Sequence, residues 1–369
     1  MTRQVWQVER FSTDVTNQIE SLQYFTGRRT QFDSWGPGSL VFTIHNDNGE
    51  ANGYDLNDKI ILTATGTNFY QWFYVQEVLF DDRGGDGGGS SATIVCTDLM
   101  GRLGRISVFE ESISSAGTVQ QIVDEFSYLT PAGTTISNVS DGDSTAAADS
   151  SYTGTALNRL NLNMTTEQGW VSVTDIAIYL YGRSDVAALA PAAVTLARTA
   201  SGSYQFGYFD IKRIALGSNY LNSCTAIPPT AAQQNATNTT GVSTYGIYGA
   251  EFATVDNSQA QALSFAQWQV QSRSDPDELS FQISVSDTAN NLTELFNNFY
   301  LNNAIVDVSY QNPGTPTDLT STQIMQGWSM TVTPAKTDME IFTSPLTYTD
   351  FFTLDSATFG VLDTSRLGW

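Results

Sequence analysis

Residues 1–110 are broken at short intervals by clusters of Gly, Pro, Asn and Asp, among them WGPG at 35–38, NDNG at 46–49 and GGDGGG at 84–89. The apolar runs between these clusters are short and rich in β-branched and aromatic residues. This spacing excludes long helices and predicts strands closed into a barrel or stacked as a sandwich. In the first run Val5, Gln7 and Glu9 alternate with Trp6, Val8 and Arg10; Leu22–Thr26, Ser39–Ile44, Lys59–Ala64, Gln71–Phe80 and Ser91–Thr97 follow. The last two read as a hairpin with a long Gly-rich tip.

Beyond Asp98 the texture changes. AGTVQQIVDEFSYL at 116–129 places Val119, Ile122, Val123 and Phe126 at helical spacing, with Thr118 as the expected N-cap. Residues 151–169 repeat the pattern with Leu157, Leu160 and Met164, and the Gly/Ser/Thr-rich residues 130–150 read as an exposed loop. Strand patterns return over 194–255, interrupted by PPTAAQQNATNTTG at 228–241, a surface loop by composition. Asp256 or Asn257 is expected to cap a helix reaching 273, with Ala260, Leu263, Ala266 and Val270 on its apolar stripe and Pro276 beyond its end. Leu279–Val285, Ile305–Tyr310 and Gly327–Pro334 read as the final strands. The expected fold class is mainly β with α+β elements. A first barrel spans 1–104, a helix-containing middle 105–199, a second barrel-type domain 200–334 with a helix at 256–273, and a C-terminal extension 335–369.

Charged residues make up only 15% of the chain, against roughly 25% in ordinary soluble domains, so its polar surface rests on Ser, Thr, Asn, Gln and Gly. The 38 acidic and 16 basic residues leave a net charge of −22, and no basic cluster exceeds Arg28–Arg29. A binder of the phosphate backbone needs a basic stripe, so direct nucleic-acid recognition is not expected; an acidic wall would instead let DNA pass without sticking. Two distant cysteines, Cys96 and Cys224, supply neither a disulfide scaffold nor a thiolate zinc site; both are expected to be buried, with a single bridge left open. The N-terminal MTRQVWQVERF lacks the apolar core of a secretion signal, and no apolar run is long enough to span a membrane.

Chemical motifs are weak. His45 is the sole histidine, so any Ser-His-Asp or histidine-metal site would rest on it. GGDGGGSS at 84–91 lacks the lysine of a phosphate loop and carries an aspartate where phosphate would be repelled. The carboxylate pairs Asp81/Asp82, Glu110/Glu111 and Asp275/Asp277/Glu278 are what an acidic chain shows by coincidence. HNDNGEANGYDLND at 45–58 approaches an EF-hand loop, but Ile44 falls at the first ligand position and the flanks read as strands. A looser calcium site from Asp47, Asp55 or Asp58 stays open; the preferred reading is a strand connection shaped by Asn48-Gly49 and Asn52-Gly53. The sequons at Asn138, Asn163, Asn235, Asn238 and Asn291 read as chance matches. No catalytic residue, cofactor site or metal site is assigned.

The order of features resembles phage minor tail proteins of the baseplate-hub type. The resemblance is carried by LVFTIHNDNGEANGYDLNDKIIL at 40–62, the hairpin and following residues at 73–103, TVQQIVDEFSYL at 118–129 and DNSQAQALSFAQWQVQSRSDPDELSFQISV at 256–285. GWSMTVTP at 327–334 and LDSATFGVLDTSRLGW at 354–369 are similar to siphophage tail-protein ends. The resemblance implies a non-enzymatic virion component with two tail-tube-like barrels per chain. It implies a homotrimer whose barrels form a pseudo-sixfold ring between the distal-tail or tube ring and the central spike or fibre. DNA and tape-measure protein would pass through its lumen, and the chain would be made in the host cytoplasm. A hexameric distal-tail ring remains an alternative, as does a carbohydrate-binding tail adhesin drawing on the 7 Trp and 16 Tyr, or a wall hydrolase.

Overall fold

A computed structural model of the chain describes residues 5–81, 90–174, 176–187, 194–199, 205–215, 219–273, 279–287, 292–299, 305–312, 314 and 317–345. The Gly-rich tip at 84–89, Pro276, Asn291 and the tail at 354–369 lie outside them. The protein is mainly β, with helices both in the region between two barrel units and within the span of the second.

The first unit has six main strands in the order Trp6–Arg10, Lys59–Ala64, Tyr70–Asp81, Ser91–Thr97, Ser39–His45 and Ile19–Gly27. Tyr70–Asp81 and Ser91–Thr97 form the expected hairpin, with a bulge between Val75 and Glu77. Alternation along Ser39–His45 buries Leu40, Phe42 and Ile44 against the core. No pairing joins the end strands Trp6–Arg10 and Ile19–Gly27 among the described residues, so this barrel is open along one seam.

The second unit closes. Asp318–Val332 pairs with Ile305–Gln311, which is followed by Val194–Ala197, Gln205–Ala215, Leu279–Ser286 and Thr337–Pro345, and the last returns to Asp318–Val332. Closure removes every free strand edge. Two of its strands lie outside the 200–334 span expected for this domain. Val194–Ala197 enters in parallel between two neighbours, and Thr337–Pro345 is nearly continuously buried, so it lacks the alternation that marks a half-buried strand.

Ile19–Gly27 of the first unit pairs antiparallel with Asp318–Val332 of the second, making one continuous sheet of both. One core runs through the join. Trp6, Tyr24, Phe69, Phe296 and Trp328 meet there, with Trp328 4.5 Å from Tyr24, 5.6 Å from Phe69 and 5.4 Å from Phe296 between ring centroids. Phe296 comes from the helix Leu292–Phe299, whose Leu292 and Leu295 are buried in the same core.

The middle region has its own core, built on the helices Thr118–Phe126 and Ala156–Glu167 and the three-stranded sheet of Thr135–Asn138, Ala177–Tyr181 and Trp170–Val173. Residues 130–150 are therefore not a plain exposed loop: they contribute Thr135–Asn138 and the short strand Thr145–Ala146, with Ser144, Ala146 and Ala147 buried. The helix expected over 151–169 begins at Ala156, because 149–155 form a strand that pairs with Ser107–Ile113 as a two-stranded ribbon.

A small α/β insertion fills 219–273, between two strands of the second barrel. The stretch expected to be a surface loop at 228–241 carries the strand Gln234–Thr237 and opens the helix Thr239–Tyr245, which Asn238 caps. Its polar side chains bond across the sheet, Asn235 to Thr225 and Ser223 to Thr237, so composition concealed the pairing. The helix Gln259–Arg273 is capped by Ser258, whose hydroxyl accepts from Gln261 N; Asp256 is buried instead. Its inward face carries Ala262, Phe265, Ala266 and Val270, while Ala260 is exposed.

Candidate functional site

Three features of this frame bear on what the protein does: a rim loop, a buried polar lock and an unusual outer surface.

The rim loop joins Ser39–His45 to Lys59–Ala64, strands that are not neighbours, so it crosses the end of the barrel rather than making a hairpin turn. Gly49 takes the left-handed conformation (φ 78°), as does Asn57 (φ 70°), while Ala51 and Tyr54 fold inward and Tyr54 packs on Phe42. Two of the three candidate calcium ligands, Asp47 and Asp58, are engaged within the chain. Asp58 receives the guanidinium of Arg10 at 2.7 and 3.0 Å, Asp47 accepts from Ser90 N at 2.8 Å, and buried Asn46 accepts from Ala51 N at 2.8 Å. Asp55 is exposed, and its backbone N–H donates to Asp58. His45 sits mostly exposed with Nδ1 2.8 Å from Glu20. Among the described residues no group of three or more His, Cys, Asp or Glu side chains converges as a metal site would require.

The remaining sequence candidates stay scattered. Glu110 and Glu111 lie on the outer ribbon, Asp81 ends a barrel strand, and Asp82, Asp275, Asp277 and Glu278 lie outside the described residues. Cys96 and Cys224 are both free and buried, in separate cores; burial pushes the Cys224 thiol up to about 12 and that of Cys96 higher still. Of the sequons, Asn163 is fully buried and its amide donates to Thr118 O and Gln121 Oε1.

The polar lock is a feature the motif search did not find, since its members are far apart in sequence. Glu167, fully buried, accepts from the Thr118 hydroxyl and from the backbone N–H groups of Asp143, Ser144 and Arg183. Thr118 therefore does not cap its helix as expected; Gly117 holds the cap position, and the Thr118 side chain serves Glu167. Burial pushes the Glu167 carboxyl above its ordinary range, against the pull of these donors. Nearby, the middle region meets the insertion: Ala147 N donates to Val255 O, Asn257 N to Thr145 O, and Val255 N to the Thr166 hydroxyl. Asp256 lies at this join, fully buried, with both carboxyl oxygens outside hydrogen-bond geometry and the Thr254 hydroxyl as a near neighbour. Burial raises its pKa to about 6, with Glu167 adding to the rise. On its other side the insertion is held by Arg273, stacked 3.9 Å over Phe32 of the first unit.

The outer surface exposes large apolar side chains on every unit, including Phe11, Leu56 and Phe80 on the first, Phe109 and Tyr128 on the middle, Phe209 on the second barrel and Ile247 on the insertion. With so few charges to cover it, such a surface suits contact with other proteins. Among the described residues no helix is long and apolar enough to cross a membrane.

No family model matches the sequence, and no curated protein matches it. Solved structures do match its fold. A tail protein from Neisseria meningitidis MC58 aligns over 94% of this chain and 97% of its own, with TM-score 0.64 at 10% identity. The 43 kDa tail protein of prophage MuSo2 from Shewanella oneidensis aligns over 93% and 98%, with TM-score 0.61 at 11% identity. E. coli c3393, a component of the type VI secretion system with structural similarity to the T4 bacteriophage tail proteins gp27 and gp5, aligns over 89% and 74%, with TM-score 0.51 at 8% identity. At these identities the shared property is the fold, and it extends over nearly the whole chain.

Proposed function

We propose that this protein is a structural, non-catalytic subunit of a phage tail, and that within the tail it forms the hub or tail-tip ring. The observation that carries the reading is the pairing of Ile19–Gly27 with Asp318–Val332, which joins two six-stranded units into one continuous sheet in a single chain. Two such units per chain let three chains present six equivalent-looking faces, the match a threefold hub needs to seat on a sixfold tube. The likeness to c3393, itself similar to gp27 and gp5, supports the same place in the particle. Among the described residues the carboxylates are scattered and the single histidine is exposed, which supports a non-catalytic reading. The acidic balance suits a lumen through which DNA and tape-measure protein move.

The test is a reconstruction of the intact tail tip. Three copies of this chain in a ring below the tube would support the reading. Six copies would replace it with the distal-tail ring, and a position on a peripheral fibre would replace it with receptor binding.

A further inference from the structure

One side of the first barrel carries a stripe of cations on aromatic rings, opposite in sign to the chain's net charge. On the strand Tyr70–Asp81 the rings of Trp72 and Tyr74 lie two residues apart on one face. Lys59, directly across from Tyr74, places its ammonium 3.9 Å over the Trp72 ring. Arg102, from the helix Leu99–Leu103, places its guanidinium 4.6 Å over Tyr74, and exposed Arg105 follows just past the helix. Elsewhere three cations are neutralised by carboxylates of the same chain: Arg10 by Asp58, Arg159 by Asp149 and Lys336 by Asp338. Among the described residues no carboxylate pairs with Lys59, Arg102 or Arg105; Arg102 donates a hydrogen bond to Asn57 Oδ1, at 3.3 Å.

The complementary surface is on the same chain. On the ribbon and the neighbouring helix end of the middle region, Phe109 is 74% exposed and Tyr128 63% exposed. Glu110 and Glu111 follow Phe109 directly, and Glu125 accepts from Ser114 N at 2.9 Å, just past the end of the same strand. Partial desolvation, then the negative charges of Glu111 and Glu125, push the Tyr128 phenol upward.

We infer that the cation–aromatic stripe of one copy docks on the acidic aromatic ribbon of a second copy, and that this is a contact between neighbouring subunits. The occupant follows from charge. A chain of net −22 repels its own copies on average, and cations without carboxylate partners that face carboxylates offset that repulsion; this pair of surfaces supplies both partners. Aromatic rings beneath the charges provide the desolvated centre that such contacts need. The two halves are different surfaces, so the contact is head-to-tail, the kind that builds a ring where the rotation closes. The inference rests on the reading of the chain as a ring subunit but not on the number of copies.

Sedimentation of the full-length chain over a concentration series, at low and high salt, tests it. The wild type should self-associate at low salt and weaken as salt rises. Lys59→Glu with Arg102→Glu should weaken association by at least about tenfold per reversed charge, and so should Glu110→Lys with Glu111→Lys. The fourfold variant should recover it. Arg102→Cys mixed with Glu111→Cys should cross-link between chains, without competition from the buried native cysteines. A wild type that stays monomeric at low salt overturns the inference, as does association that survives either reversal or fails to recover in the fourfold variant. A threefold ring in the tail-tip reconstruction alongside such a result would sink this contact alone and leave the hub reading standing.

Discussion

Gly27 and Gly327 face each other across the join between the two barrels. A Cβ on Gly27 would lie 2.4 Å from the Gln326 carbonyl oxygen, and one on Gly327 would lie 2.4 Å from that of Thr26. The atoms in the way are backbone, so no rotamer change relieves either clash, and Gly27 also sits at φ 83°. Gly27→Ala and Gly327→Ala are each expected to destabilise the protein by about 2–4 kcal/mol. Urea melts of the two variants and the double variant check this; because the sites share one contact, the double variant should cost less than the sum.

Trp328 stands at the centre of the aromatic cluster that both barrels share. Trp328→Ala is expected to lower stability by about 3–5 kcal/mol. Because the core is continuous, the variant should still unfold in one step from both barrels. Near-ultraviolet dichroism, which follows this cluster, and far-ultraviolet dichroism, which follows the sheet, should report coincident transitions.

Asp256 makes the join between the middle region and the insertion sensitive to acid in an unusual direction. Its folded pKa is raised from 3.8 to about 6, chiefly by burial, so between those values the folded protein binds more protons than the unfolded chain. Stability from this group therefore falls as pH rises through that window, and is greatest below it. Asp256→Asn should raise stability at pH 7 by about 1–3 kcal/mol and flatten the dependence between pH 4 and 6. Thermal midpoints of both proteins across that range check the sign.

Calcium should leave the rim loop unchanged. The Arg10 guanidinium already occupies Asp58, with side chains only 23% and 10% exposed, and Asp47 is bonded to Ser90 N. Thermal midpoints in calcium and in chelator should coincide, whereas Asp58→Ala should lower stability by about 1–3 kcal/mol by leaving Arg10 partly buried without its anion.

Much of this architecture was legible in the chain. Period-two patterns marked Ser39–His45 and Ser91–Thr97, helical spacing marked Thr118–Phe126, and the change of texture after Asp98 marked the end of the first barrel. These signals are local, since each element must present an apolar face to whatever it packs on. The candidate site was legible only in outline. Low charge density carried the expectation of large protein contacts, but nothing local set Lys59 against Trp72.

The sequence by itself determined the β-rich class, the helical middle and the absence of a recognisable catalytic motif, because alternation, spacing and residue chemistry are written within a few neighbours. Only the tertiary structure decided that the rim loop crosses the barrel end, that Thr118 bonds Glu167 instead of capping, and that Thr337–Pro345 closes the second barrel. Each of those depends on a partner far away in the chain: Glu167 is 49 residues from Thr118, and Ile19–Gly27 meets Asp318–Val332 about three hundred residues on. Such pairings form because burial and backbone hydrogen bonding are satisfied jointly by the whole fold, and no single segment carries that information.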